Sequence, residues 1–263
     1  MNSKTLQGEI LAKVPAVTLG FWIIKILATT LGETAGDTVT MTWLGETTEA
    51  ATGYGYLAGT AIFAVVLLAL VWLQIRTKVF NAWLYWATII ASTTMGTTLA
   101  DFATRSLGIG YTGGSALLLG LVLASLFAWY RTTGTVAVGA VGDTRSEIFY
   151  WLTITFSQTL GTALGDWTAD TGGLGYLGGA TLFAIGLAVL ALLYWLTRVS
   201  RTFLFWAAFI LTRPLGATVG DFLDKPLGHG GLELSRPLAS LTLAAAIGLL
   251  VLLLPKQAAM RSH

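Results

Sequence analysis

The chain has 263 residues, of which 55% are hydrophobic and only 11% are charged, and its formal net charge is +2. Soluble domains carry about 25% charged residues, so this composition excludes an ordinary soluble domain and indicates a membrane protein. The chain contains no cysteine, which excludes disulfides, thiolate metal sites and catalysis by a thiol.

Eight apolar runs follow one another along the chain, each close to the roughly 20 residues that a helix needs to cross a bilayer. The runs are continuous rather than alternating, which favours helices over the strands of a membrane barrel. We therefore predict an all-α membrane protein, a single membrane domain over 1–263 with eight transmembrane helices. The predicted helices are 14–32, 56–73, 79–100, 113–130, 148–165, 176–196, 202–220 and 237–254.

The basic residues indicate how these helices are oriented. Ten basic residues and only three acidic ones occupy the two terminal segments and the connections at 74–78, 131–147 and 198–201. Short loops on the cytoplasmic side of a membrane are rich in Lys and Arg. Both termini are therefore predicted to be cytoplasmic, and the connections after the odd-numbered helices are predicted to face outward.

A tryptophan, a glycine and an aspartate recur four times with the spacing W-x9-G-x3-[GA]-D, at intervals of 64, 65 and 55 residues. Each copy continues into a glycine-rich turn and then into a second apolar run. The chain is thus predicted to contain four parallel two-helix repeats, related by a pseudo-symmetry axis along the membrane normal. The predicted repeats are 14–76, 79–131, 145–197 and 201–254. The recurring residues are Trp22, Trp86, Trp151 and Trp206, then Gly32, Gly96, Gly161 and Gly216, then Asp37, Asp101, Asp166 and Asp221.

Four tandem units, each with two transmembrane segments and a shared tryptophan, resemble a family of bacterial membrane proteins built from a tandem repeat of unknown function. The resemblance covers about 14–254 and rests on the W-x9-G-x3-[GA]-D spacing. It implies a multi-pass protein of the bacterial inner membrane. It implies no particular activity, so the function has to be inferred from the residues themselves.

Two interpretations of the repeated string are open. In the first, the glycines form small-xxx-small pairs, which let helix backbones approach closely in lipid, and the aspartates simply end the helices. In the second, the aspartates belong to polar rows, since residues four apart share a helix face. The four rows are Thr29-Glu33-Asp37-Met41, Thr93-Thr97-Asp101-Arg105, Gln158-Thr162-Asp166-Asp170 and Arg213-Ala217-Asp221-Lys225.

Polar groups at membrane depth cost about 2.5–3.5 kcal/mol each on insertion scales and usually face a bundle interior. We therefore expect the rows to face one another and to form a polar pocket that opens outward between the first, third, fifth and seventh helices. The expected binding residues are Asp37, Asp101, Asp166, Asp221, Glu33, Thr97, Gln158, Thr162, Asp170, Lys25 and Arg213.

The charges near these rows do not balance, which makes a bound cation one of the expected solutions. Six acidic residues face four basic ones, which leaves a surplus of two negative charges for cations, protons or solvent to neutralise. Carboxylate, hydroxyl and amide oxygens favour hard ions such as Mg²⁺, Ca²⁺ or Mn²⁺. The expected metal ligands are Glu33, Asp37, Asp101, Asp166 and Asp221, with Glu33 and Asp37, one helical turn apart, as the first choice.

The leading functional hypothesis is a secondary transporter or exporter of a small hard cation such as Mn²⁺ or Mg²⁺, exchanged for protons. One alternative is a non-transport scaffold or binding protein whose charges pair internally, and another is an anion or small-solute transporter that uses Lys25 and Arg213. The chain has no common catalytic motif and no nucleotide-binding loop, so we predict neither an enzyme nor a resident cofactor. The predicted partners are the lipid bilayer and the transported ion; a homo-oligomer is compatible with the sequence, and nucleic acid is not expected.

Overall fold

The computed structural model describes residues 12–49 and 51–259. These residues form eight α-helices and no β-strand, which confirms the all-α prediction. Residues 1–11 and 260–263, whose charges entered the prediction of orientation, lie outside the described part of the chain. The helices are α1 Leu19–Asp37, α2 Tyr54–Arg76, α3 Ala82–Asp101, α4 Tyr111–Thr133, α5 Thr144–Asp166, α6 Gly175–Leu196, α7 Arg201–Asp224 and α8 Arg236–Leu253.

Five of these helices, α2, α4, α6, α7 and α8, are long and apolar enough to cross a membrane. Helices α1, α3 and α5 fall short of that standard, so the prediction of eight apolar spans is only partly supported. The reason is their polar content: α1 carries Lys25, Glu33 and Asp37, and α3 carries five threonines. Most of these polar side chains are buried against other helices, so they lower the hydropathy of the helix without facing lipid.

The first helix of each repeat belongs to a closed inner ring. Helix α1 packs on α3, α3 on α5, α5 on α7, and α7 packs back on α1. The second helix of each repeat lies outside this ring and packs mainly on the inner helix of the following repeat: α2 on α3, α4 on α5, α6 on α7 and α8 on α1. The two helices of one repeat make few contacts with each other. The repeats are therefore interlocked, and the fourth closes onto the first.

The repeated glycines form the same contact at all four junctions of the ring. A Cβ atom added to any of them would overlap the residue that lies three positions before the glycine of the neighbouring repeat, so each glycine permits a close approach of two helices. The pairs are Gly32 with Thr93, Gly96 with Gln158, Gly161 with Arg213 and Gly216 with Thr29. This cyclic pattern gives the ring its pseudo-fourfold arrangement.

An aromatic layer closes one end of the ring. Each repeat tryptophan is preceded by another aromatic residue, and that residue packs on the tryptophan of the next repeat. The ring centroids are 5.4 Å apart for Phe21 and Trp86, and 5.7 Å apart for Tyr85 and Trp151. The pairs Tyr150 with Trp206 and Phe205 with Trp22 continue the layer at 6.1 and 5.7 Å. Inside the layer, the hydroxyl oxygens of Tyr85 and Tyr150 lie 2.6 Å apart and share a hydrogen bond.

The two described ends of the chain meet at this aromatic end. The backbone N–H of Ala16 donates to the carbonyl of Gln257 at 2.8 Å, and that of Ala259 donates to Val14 at 2.7 Å. The ammonium group of Lys13 contacts the Glu147 carboxylate, at the start of α5, at 2.6 Å. These contacts place both described ends on one face of the helix bundle, opposite the repeated aspartates.

Candidate functional site: a carboxylate cluster inside the helix ring

The repeated aspartates are the last residues of the α-helical part of α1, α3 and α5, and the chain remains α-helical through the preceding glycines. In each of these helices a π-helical turn follows the aspartate immediately, at Thr38–Trp43, Phe102–Ser106 and Trp167–Thr171. Helix α7 instead continues as an α-helix past Asp221. Single π-helical turns are rare and often occur at functional sites.

The side chain of Arg213 connects all four inner helices. Its Nη2 atom donates to Glu33 of α1 at 2.9 Å, to Thr97 of α3 at 2.6 Å and to the hydroxyl of Thr162 of α5. These three acceptors occupy equivalent positions, one residue after the repeat glycine, and the fourth such position is Ala217. The guanidinium group therefore lies in the interior of the ring, where it neutralises the fully buried Glu33.

The ammonium group of Lys225 lies among three carboxylates at the aspartate end of the ring. It forms an ion pair with Asp37, a second with Asp221 at 2.9 Å, and a longer one with Asp224 at 3.9 Å. Carboxylate oxygens of these three acids lie within 4.8 Å of one another. The guanidinium of Arg236 lies 3.6 Å from Asp224. The ammonium thus occupies the position where three acids could otherwise hold a metal ion.

A second group of carboxylates lies deeper in the ring. Oxygen atoms of Glu33, Asp166 and Asp221 also lie within 4.8 Å of one another, and all three residues are buried. Glu33 pairs with Arg213 and Asp221 with Lys225. In the described part of the chain, Asp166 has neither an ion pair nor a hydrogen-bond partner for its side chain, although only 4% of its surface is exposed. This acid is therefore free to bind a cation or a proton.

The remaining repeat aspartate, Asp101, has an ion-pair partner of its own. Arg105 lies one turn after Asp101, and its Nε donates to Oδ1 of that carboxylate at 2.7 Å. The other oxygen of Asp101 is buried without a hydrogen-bond partner among the described residues. Arg105 is more exposed, with 37% of its side chain accessible. It covers Asp101 from the outer side.

Three predicted site residues lie apart from these carboxylates. Asp170 is exposed, and its nearest polar contact is the Tyr111 hydroxyl at 3.5 Å. Gln158 is fully buried but lies on the other side of Arg213, next to Gly96. The ammonium of Lys25 donates to the Thr212 hydroxyl at 3.3 Å and lies 4.1 Å from the centre of the Phe209 ring.

In the described part of the chain the carboxylates do not open to the outside, so the expectation of an outward-open pocket was wrong. The side chains of Asp37, Asp101, Asp166 and Asp221 are only 0, 1, 4 and 3% exposed. Basic side chains, in particular Arg213 and Lys225, fill the space that the sequence predicts as a vestibule. A half-open cleft of about 250 Å³ lies instead at the opposite end, between the described chain ends and residues such as Phe21 and Trp86.

The structure also contains two site residues that the sequence analysis missed. Asp224 and Arg236 lie outside the repeated spacing, because the fourth repeat departs from the pattern after Asp221. Asp224 is buried at the end of α7, and Arg236 reaches it from the start of α8. Asp224 directly precedes Lys225 in the sequence, which was the one available indication of its position.

The described residues thus bring six buried carboxylates together, and four basic groups pair with them, which leaves a formal surplus of two negative charges. The acids are Glu33, Asp37, Asp101, Asp166, Asp221 and Asp224, and the bases are Arg105, Arg213, Lys225 and Arg236. The surplus equals the one expected from the sequence, although Asp224 and Arg236 take the places of Asp170 and Lys25.

Comparison with curated proteins and with solved structures finds no match. Comparison with protein families finds one that is described as "Repeat of Unknown Function (DUF347)". It matches four consecutive segments, 20–80, 84–135, 149–200 and 204–257, each of which contains one inner and one outer helix. These segments cover most of the chain, and the protein therefore belongs to the DUF347 family of tandem repeats.

Proposed function

We propose that this protein is a secondary transporter of a small hard divalent cation, such as Mn²⁺ or Mg²⁺, in the bacterial inner membrane. In this proposal all eight helices cross the bilayer and both termini lie in the cytoplasm. The aromatic end of the ring then faces inward and the carboxylate end outward. The protein acts without a nucleotide and without a resident cofactor, and the energy for uphill transport comes from exchange with protons.

The observation that carries the proposal is the convergence of Glu33, Asp166 and Asp221 inside the ring, with oxygen atoms within 4.8 Å of one another. A buried charge is expensive unless it is paired or coordinates a metal, and Asp166 has no paired base among the described residues. A hard divalent cation would supply the missing charge and would accept carboxylate oxygens as ligands. When the cation leaves, protons can neutralise the same oxygens.

Two barriers inside the helix ring fit a closed state of such a transport cycle. Arg213 crosses the interior next to the carboxylates, and the aromatic layer closes the far end. A cation bound at Asp166 would therefore be separated from the aromatic end by both barriers. Transport requires these barriers to open in turn, and the ion pair of Arg213 with Glu33 is the contact that a bound cation would weaken.

The proposal is tested by Mn²⁺ flux into liposomes that contain the purified protein, followed with an entrapped indicator dye. We expect flux that requires the protein and that falls at least about tenfold in Asp166→Asn, since a neutral amide neither balances nor ligates the cation as well. Asp170→Asn is the matched control, because Asp170 is exposed and lies outside the cluster. It should transport like the unchanged protein.

Two results would contradict the proposal. The first is an absence of flux for Mn²⁺, Mg²⁺ and Ca²⁺ in liposomes that contain correctly folded protein. The second is equal flux for Asp166→Asn and Asp170→Asn. Either result would favour the alternative of a scaffold with internally paired charges, for which the ion pairs of Arg213 and Lys225 would be purely structural.

A further inference from the structure

A second polar region lies inside the ring, between the guanidinium of Arg213 and the aromatic layer. It belongs to the residues that precede the repeat glycines, so it is separate from the carboxylates, which follow them. The region contains Lys25, which is fully buried in the middle of α1. The carboxylate cluster makes no ion pair with this lysine.

Lys25 is a buried basic residue without a carboxylate partner in the described part of the chain. Its ammonium group donates one hydrogen bond, to Thr212 at 3.3 Å, and lies over the Phe209 ring. A hydroxyl and an aromatic face stabilise an ammonium group only weakly compared with an anion. Arg213 follows Thr212 in the sequence, and its charge is already balanced by Glu33. A protonated Lys25 therefore has no counter-charge in this region.

Several neighbouring polar groups, most of them donors, are also unsatisfied. The Nε and Nη1 groups of Arg213 and both side-chain amide atoms of Gln158 are buried without hydrogen-bond partners among the described residues, and so is the hydroxyl of Thr93. Each such unsatisfied buried group destabilises the folded chain. A set of such groups beside an unpaired lysine is a sign that something polar completes the site.

These groups occupy one level of the ring. Thr93, Gln158 and Arg213 stand at equivalent positions of their repeats, three residues before the glycine, and each packs against the glycine of the preceding repeat. Lys25 reaches the same level from α1, because its ammonium contacts Thr212, the neighbour of Arg213. Donors from α3, α5 and α7 and the lysine of α1 are thus gathered at one depth.

We propose that this level is a binding site for a small monovalent inorganic anion such as chloride. The anion would balance the charge of Lys25 and accept hydrogen bonds from Arg213 and the Gln158 amide. One uncompensated cation calls for one negative charge, and the close packing at Gly96 and Gly161 limits the size of the ligand. The site does not require cation transport, although Arg213 takes part in both sites, through Nη2 at Glu33 and through Nε and Nη1 here. Lys25 and Gln158 lie on the opposite side of the repeat glycines from the carboxylates.

The proposal is tested by thermal unfolding of the purified full-length protein in detergent, with sodium chloride exchanged for sodium gluconate at constant ionic strength. We expect chloride to raise the melting temperature saturably, by about 5 °C at concentrations far above the dissociation constant. Equilibrium binding of radioactive chloride should give about one ion per chain. The chloride dependence should be lost in Lys25→Met and in Gln158→Leu.

Lys256→Met is the matched control, because Lys256 is an exposed lysine outside the ring. It should keep the full chloride response. If Lys25→Met does not fold, Gln158→Leu decides the question alone, as it leaves every charge in place. Equal melting temperatures in chloride and gluconate, together with no bound radioactive chloride, would overturn the proposal, and so would an unchanged chloride response in Gln158→Leu.

Discussion

Arg213 is the residue on which the four inner helices converge. In the fourth repeat it replaces the threonine or glutamine of the other rows, and Ala217 replaces the threonine or glutamate one turn later. The small alanine leaves room for a long side chain, which then donates to Glu33, Thr97 and Thr162 from the other three helices. The departure of this repeat from the pattern thus fills the interior of an otherwise symmetric ring.

This arrangement predicts the effect of removing the guanidinium. Arg213→Met should lower the free energy of unfolding by about 3–5 kcal/mol, because Glu33 is left as an unpaired buried charge. Glu33→Gln in the same chain should restore a large part of that loss, since the second change removes the unpaired charge. The measurement is thermal unfolding in detergent of both single variants and of the double variant.

An exposed arginine supplies the control for this comparison. Arg76→Met, at the end of α2, should change the free energy of unfolding by less than about 0.5 kcal/mol. If the double variant of Arg213 and Glu33 is as unstable as Arg213→Met, the loss comes from packing and not from the ion pair, and the electrostatic explanation is wrong.

At the scale of the helices, the repeated glycines set the distance between neighbours in the ring. An alanine at position 96 would place its Cβ atom 2.9 Å from the backbone of Gln158 and Thr159, which cannot move aside as a side chain can. Gly120, in the middle of α4, is exposed and has open space around it. Alanine substitutions at these two positions therefore distinguish the cost of overpacking a close contact from the general preference of helices for alanine.

Gly96→Ala should lower the melting temperature by several degrees, because overpacking of a close contact costs about 1–3 kcal/mol. Gly120→Ala should leave it unchanged or raise it slightly, because alanine favours the helix by up to about 1 kcal/mol. Thermal unfolding of the two variants in the same detergent provides the comparison. Equal losses in both would mean that the glycines matter for reasons other than the junction between α3 and α5.

The packing of the outer helices marks the limit of what the sequence could predict about the fold. The spacing of Trp, Gly and Asp identified the inner helices, their polar faces and the carboxylates, because each repeat carries that information within itself. It did not identify the neighbour of each outer helix, since α2 packs on α3 and not on α1. Helical periodicity defines a face but not the element that covers it.

The sequence predicted only part of the candidate site, and the reason is similar. Counting in fours placed Asp170 in a polar row with Asp166, but its side chain is exposed. The interior position of Arg213 depends on three other helices, and the ion pair of Asp224 with Arg236 joins α7 to α8. Such long-range contacts have no counterpart in the spacing of residues along the chain.

At the scale of the whole molecule, the ring separates two chemically different ends. The aromatic layer and both described chain ends lie at one, and the aspartates lie at the other. The outer helices α2, α4, α6 and α8 are strongly apolar and largely exposed in the isolated chain, as a lipid-facing surface would be. The inner helices α1, α3 and α5 are less apolar, because the outer helices and the ring shield them from lipid.

This organisation leads to a test of the proposal that all eight helices cross the membrane. If α3 crosses, its two flanking connections must lie on opposite sides, and the same holds for α1 and α5. Because the chain has no cysteine, single cysteines can be introduced at exposed positions and labelled with a thiol reagent that does not cross membranes. The pairs that flank the three helices are Val17 and Thr48 for α1, Lys78 and Leu107 for α3, and Thr132 and Leu174 for α5.

Cysteines at positions 48, 107 and 174 should react in intact bacterial spheroplasts, because the carboxylate end is proposed to face outward. Cysteines at positions 17, 78 and 132 should react only after the membrane is permeabilised, and the unchanged protein should not react at all. Reaction of both members of a pair from the same side would show that the helix between them does not cross. Reversed labelling of all three pairs would preserve the eight crossings and invert the orientation, which would put the carboxylate cluster on the cytoplasmic side.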